Sequence, residues 1–140
     1  MLILISQWRF RFLIPVSTLM SLNTMTNKNP NNTILRVDAS MRKTGSYSRT
    51  LSDKLIEKLI NTKGRVPKNK IIIRDLADGV PVIDENWIKA NFTPLDERTE
   101  SQTLSLASSD ALVEELKSAD QIVIGLPIYN FNVPAAFKAW

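Results

Sequence analysis

Residues 33–61 read TILRVDASMRKTGSYSRTLSDKLIEKLIN, and this stretch decides the fold. Thr33 to Asp38 is a short β-rich run, and the polar turn ASMRKTGSYS follows it. From Thr50 to Asn61 the apolar residues Leu51, Leu55, Leu59 and Ile60 recur at the spacing of one helix face. The stretch therefore predicts strand, loop and amphipathic helix. Beyond it, a basic turn with Gly64 and Pro67 leads to KIIIRD at Lys70 to Asp75, whose consecutive β-branched residues suit a strand covered on both faces.

The same alternation continues to the last residue. Asp84 to Phe92 is expected as a short helix ending before Pro94. Thr99 and Gln102 have capping-box spacing, and Leu104, Ala107, Ala111, Leu112 and Leu116 suggest the buried stripe of a helix over about Glu100 to Ser118. Asp120 to Pro127 (DQIVIGLP) is expected as a third buried strand, followed by the loop IYNFNVP and by AAFKAW, the opening of another helix. Strands alternating with helices imply an α/β, doubly wound parallel sheet, with ligands gathered beyond the carboxyl ends of the strands. Residues 34–140 read as the N-terminal portion of such a domain, truncated after its third strand.

Composition narrows the chemistry. The 140 residues contain no Cys and no His, so a Ser-His-Asp triad, a Cys nucleophile and a His/Cys zinc site are excluded, and no metal ligands are assigned. Zero cysteines suits a reducing cytoplasm, and any redox chemistry has to come from a cofactor. Of the 18 Lys and Arg residues, Arg9, Arg11 and Lys28 precede residue 34, leaving 15 against all 14 Asp and Glu. That nearly neutral body lacks the clustered basic footprint of a nucleic-acid binder.

Residues 1–33 are expected to be a flexible or mis-annotated extension, with translation beginning at Met20 or Met25 and the residues before it an over-extended reading frame; the alternative is an organelle-targeting peptide, since the stretch is basic and acid-free. The apolar runs Leu2 to Ile5 and Phe12 to Val16 are split by Arg9 and Arg11, and neither approaches the ~20 residues of a membrane span. The Asn-rich SLNTMTNKNPNN that follows is a polar, turn-forming lead-in.

Two loops carry the candidate chemistry. After the first strand, Ser40 and the Gly45-Ser46-Tyr47-Ser48 run place hydroxyls at a helix N-terminus, where free amides and the positive dipole end suit a phosphate; Arg42 and Lys43 could add to that field. The alternative is that Ser46 or Ser48 only caps the helix. After the third strand, Pro127-Ile128-Tyr129-Asn130-Phe131 forms a stiffened loop that could lay apolar surface along a flat ring, or else bury Tyr129 and Phe131 as ordinary core. In a flavodoxin-like 2-1-3-4-5 sheet these two loops are neighbours at the switch point, where that fold holds FMN.

At these residues the chain resembles the FMN-dependent NADH azoreductases, also described as NADH:quinone oxidoreductases. The resemblance rests on the strand turn ending DAS, on S-Y-S followed by TLSDKL, on IIIRDLADGVPVID, and on SSDALVEELKSADQIVIGLPIYNFNVP. It implies that Ser40, Ser46, Tyr47 and Ser48 hold the FMN phosphate and that Pro127, Ile128, Tyr129, Asn130 and Phe131 flank the flavin, Ile128 standing where the family usually has Met. It further implies a cytoplasmic homodimer passing hydride from NADH through FMN to a quinone or azo compound. The cofactor would carry the chemistry, so no side chain is assigned as acid or base. Two competing readings are a fragment without flavin and a flavodoxin-type electron carrier.

Overall fold

The computed structural model describes residues 1–6, 32–61 and 70–140. Its strands are β1 (Leu2–Ser6), β2 (Thr33–Asp38), β3 (Lys70–Asp75) and β4 (Gln121–Gly125). Its helices are α1 (Tyr47–Asn61), α2 (Glu85–Phe92), α3 (Glu100–Ser118) and α4 (Ala135–Ala139). Among the described residues the strands form one sheet in the order β1-β4-β2-β3, with β2, β3 and β4 mutually parallel. The doubly wound expectation is met: from central β2 the chain crosses to β3 on one side and later to β4 on the other.

Alternation along the strands builds two cores. Ile34 and Val123 point to the α1 face and are buried with Ile56, while Leu35, Val37, Ile124 and Leu126 point to the opposite face and pack with Leu76, Phe137 and Trp140. Register fixes this division, since Leu35 pairs with Ile122 and Ile34 with Gln121. Asp120 hooks the end of α3 onto the start of β2: its N–H donates to Thr33 O (2.9 Å), and its Oδ2 accepts from Thr33 N–H (2.7 Å). These bonds set where β4 begins.

Helix termini follow local sequence closely. Asp84 caps α2 by accepting from Trp87 N–H, and Thr99 with Gln102 closes the expected capping box on α3. Trp87 Nε1 donates to Ser109 Oγ (2.8 Å) and Arg74 pairs with Glu115, tying α2 to α3 and α3 to β3.

Three expectations about burial need correction. The inward face of α3 carries Leu106, Ser109 and Leu112, whereas Leu104, Ala107, Ala111 and Leu116 are exposed. In α1 the buried line is Ser48, Ser52 and Ile56, and Leu51 faces out, because the helix approaches the sheet closely enough to demand small residues. On β3, Ile71 and Ile73 are exposed among the described residues: this strand is the sheet edge, and α1 packs over β2 and β4.

The N-terminal expectation also meets a difference. Leu2–Ser6, read as part of an extension, forms an antiparallel edge strand on β4, with Leu2 opposite Gly125 and Ser6 opposite Gln121. The amino terminus donates to Leu126 O (2.9 Å), and Leu126 N–H donates to Met1 O (3.0 Å). The backbone groups on the outer side of β4 account for it, since an unpaired strand edge is a template for any apolar segment within reach. The Arg9/Arg11 segment, Met20, Met25 and the Asn-rich stretch through Asn31 lie outside the described residues. No helix among the described residues is long and apolar enough to cross a membrane.

Candidate functional site

The site grows from the carboxyl ends of β2 and β4, which lie side by side. Pairing continues one step past the strands, Ala39 N–H donating to Gly125 O at 3.0 Å, so the loops that follow leave from the same edge. Between β2 and β4 the chain direction switches from one side of the sheet to the other, and the crevice there is the expected place for a ligand.

The serine loop is largely buried. Ser40 is 2% exposed, and its Oγ lies 3.2 Å from Arg42 N, accepting its N–H, in a tight side-chain turn. Gly45 takes φ +67°, a left-handed conformation suited to glycine, and this bend delivers Ser46 to the start of α1. Thr50 N–H donates to Ser46 O (3.1 Å), which makes Ser46 the residue from which the helix departs. Ser46 Oγ meets Ser48 Oγ at 3.2 Å, rather than capping a first-turn amide among the described residues. The two hydroxyls therefore converge beside the N-terminus of α1. Tyr47 between them projects into solvent, 88% exposed.

The second loop closes on itself. Tyr129 and Asn132 exchange two backbone hydrogen bonds, each 2.9 Å, around Asn130 (φ 48°) and Phe131 (φ 63°). Two successive positive φ values are those of a type I′ turn, costly for a residue as bulky as phenylalanine. Burial does not repay that cost, because Phe131 is fully exposed; Ile128 and Asn130 are exposed too, and Tyr129 is 40% exposed. The alternative in which Tyr129 and Phe131 are core residues is thereby removed. Pro127 is half-buried at the loop's base.

One contact joins the loops: Ser40 Oγ and Tyr129 Oη are 3.3 Å apart. Two segments 89 residues apart in sequence thus share one rim. Arg42 is exposed, and Lys43 pairs with Asp78 at 2.5 Å, away from any role as a free cation in the loop.

Beneath the serine loop lies an ionic cluster that sequence reading missed. Arg49, 13% exposed at its side chain, grips Asp75 with both Nη atoms (2.8 and 2.7 Å) and approaches Asp38 Oδ2 at 3.4 Å. It also donates to Ser40 O (2.7 Å) and Arg42 O (3.0 Å). The guanidinium holds the Asp75 carboxyl below the ordinary carboxylate range, against an opposing effect of burial. Asp38 goes the other way: burial pushes its carboxyl up, despite Arg36 Nε at 2.8 Å. Its Oδ1 is buried without a hydrogen-bond partner among the described residues. The available signal was that both flanking strands end in an acid, TILRVD and KIIIRD, with an arginine directly after S-Y-S.

The donor set fits a phosphate-bearing flat ligand. The paired Ser46 and Ser48 hydroxyls at a helix N-terminus can receive an anion, and Ser40, on the same loop, meets the exposed, strained turn through Tyr129. Among the described residues no group of three or more His, Cys, Asp or Glu could hold a metal ion.

Residues 32–140 match a family described by its flavodoxin-like fold. The chain belongs to that family. Within it, the chain is 69% identical over 107 residues to the FMN-dependent NADH:quinone oxidoreductase 1 of Colwellia psychrerythraea, covering 76% of this chain and 54% of the relative. It is 51% identical, over 76% of this chain and 52% of the relative, to a protein of the same name from a Jannaschia species. Among solved structures it superposes on the azoreductase of Bacillus anthracis with a TM-score of 0.59 at 25% identity, covering 77% of this chain and 52% of that one. Azoreductase AzrA gives the same TM-score at 27% identity, over 76% and 52% of the two chains. The chain spans about half the length of the curated relatives it matches.

Proposed function

We propose that this chain forms the phosphate-and-ring side of an FMN site in an NADH-dependent oxidoreductase whose acceptors are quinones or azo compounds. The observation that carries this reading is the Ser40–Tyr129 contact, which brings the hydroxyl loop and the strained aromatic turn to one rim at the switch point. The names of the relatives support it independently, being FMN-dependent NADH:quinone oxidoreductases and azoreductases.

In this reading Ser40, Ser46 and Ser48, with the backbone at Tyr47 and the first turn of α1, hold the phosphate. Pro127, Ile128, Tyr129, Asn130 and Phe131 flank the ring, and the left-handed turn fixes their backbone before binding, lowering the ordering cost. When bound, FMN supplies the redox chemistry between NADH and the acceptor. The protein's part is to bind, orient and exclude water, so the absence of His and Cys is no obstacle. A cytoplasmic homodimer completes the proposal. It is supported by the exposed apolar residues Val82, Phe92, Leu95 and Leu104, and by the exposed loop of Ile128 and Phe131, which a second subunit could cover.

The test is titration of FMN into the purified chain, following flavin fluorescence quenching alongside a circular dichroism melt. Saturable binding with a raised melting temperature is expected. A chain that melts cooperatively yet leaves FMN fluorescence unchanged would refute the site.

A further inference from the structure

Arg49 makes more polar contacts than ion pairing requires. Its five N–H groups are divided among two carboxylates and two loop carbonyls: Asp75, Asp38, Ser40 O and Arg42 O. From the proposed phosphate site it is set back within α1, next to Ser48, and largely buried.

The peptide plane makes this arrangement directional. In a trans peptide the C=O of one residue and the N–H of the next point in opposite directions. With Ser40 O and Arg42 O both turned onto the guanidinium, the N–H groups of Met41 and Lys43 are turned to the loop's other side. A loop whose carbonyls face inward onto a cation presents amides outward, the arrangement an anion needs. Charge adds to this. Asp38 and Asp75 end the two strands beneath the loop, and without a cation between them their carboxylates would repel a phosphate above.

Resting on the phosphate reading of the serine loop, we infer that Arg49 is the positioning residue of that loop: it turns the Ser40 and Arg42 carbonyls away from the anion site and screens the anion from Asp38 and Asp75. It touches no ligand itself. Asp75 serves as its anchor, gripping the guanidinium in a two-point geometry that a lysine ammonium cannot reproduce. Asp75 Oδ1 also accepts from Ala77 N–H (2.9 Å), so the anchor is held in turn.

The experiment compares FMN with riboflavin, which has the same ring and no phosphate, by fluorescence titration of the wild-type chain, Arg49→Lys, Arg49→Met and Asp75→Asn. Loss of two charge-assisted hydrogen bonds to the loop is expected to weaken FMN binding about tenfold or more in Arg49→Met. Arg49→Lys, which keeps the charge without the fork, falls between it and wild type; Asp75→Asn loses the anchor but also one of the two carboxylates that repel the phosphate, so its FMN loss is smaller than that of Arg49→Met. Riboflavin affinity is expected to change less than about twofold throughout. Equal losses for both flavins would reduce Arg49 to a structural role and overturn the inference. Wild-type FMN affinity in Arg49→Met would also overturn it, and wild-type affinity in Arg49→Lys would leave charge alone and remove the positioning claim. A wild-type chain that binds FMN no more tightly than riboflavin would instead refute the phosphate site itself. Circular dichroism melts identify any variant that fails to fold, and Asp75→Asn then carries the comparison with the Arg49 side chain intact.

Discussion

Replacing Gly125 with alanine tests the close approach of α1 to β4 that sets the serine loop. A Cβ there would lie 2.6 Å from Ser52 Oγ, 3.2 Å from Asp38 Oδ1 and 3.2 Å from Ser48 O. Ser52 cannot easily yield, since it is fully buried and its hydroxyl donates to Ser48 O at 3.1 Å. Either α1 shifts outward, an overpacking cost of about 1–3 kcal/mol, or the hydroxyl rotates and leaves a buried bond unmade at a similar cost. Gly125→Ala should therefore destabilise by about 2–3 kcal/mol and lower the melting temperature by roughly 10 °C. Urea unfolding followed by circular dichroism measures it. Adding Ser52→Ala removes the nearest oxygen, and the double variant should regain at least about 1 kcal/mol relative to the sum of the single changes. A Gly125→Ala variant within about 0.5 kcal/mol of wild type, or strictly additive effects, would refute the contact as the constraint on α1.

Four further outcomes follow from the geometry and charge of the site. Phe131→Gly should stabilise the chain by about 0.5–1 kcal/mol in the same assay, because relief of the left-handed conformation exceeds glycine's entropy cost and no burial is lost; destabilisation would show that the turn is not strained. Asp75 has a lowered folded-state pKa, so its stabilisation is present above its ordinary value of 3.8 and is lost as pH falls through the folded value. Asp75→Asn should accordingly flatten the fall in stability below pH 3.8, and an unchanged acid slope would contradict the Arg49 pairing. Asp38 is raised, so between 3.8 and its folded value it favours folding increasingly as pH drops, and Asp38→Asn should remove that gain. Finally, Ser46→Ala with Ser48→Ala should weaken FMN affinity by about tenfold or more while riboflavin affinity holds; equal affinity for FMN before and after would take these hydroxyls out of the phosphate site.

Much of the architecture was legible because it depends on local pattern. The strands Thr33–Asp38 and Lys70–Asp75 and the helix Glu100–Ser118 fall where β-branched runs and the Thr99/Gln102 capping box predict them. Faces were harder to read. Spacing cannot distinguish Leu104 from Leu106 as the buried residue of α3, nor Leu51 from Ser52 in α1, because the choice is made by how near the sheet comes. Ser52 is buried where a leucine would not fit, opposite Gly125.

The sequence by itself determined the order of elements, the parallel sheet and the two loops at its carboxyl edge, since hydrophobic period, caps and turn residues act over a few neighbours. Tertiary structure alone decided that Ser40 meets Tyr129, that Phe131 is thrust into solvent on a left-handed turn, and that Arg49 joins Asp38 and Asp75 beneath the loop. The Ser40–Tyr129 and Arg49–Asp75 contacts link residues far apart in the chain, and their distances depend on strand register and on the depth of helix packing. The pairing of Leu2–Ser6 with β4 is of the same kind: a short apolar run has no fixed fate until a strand edge lies within reach.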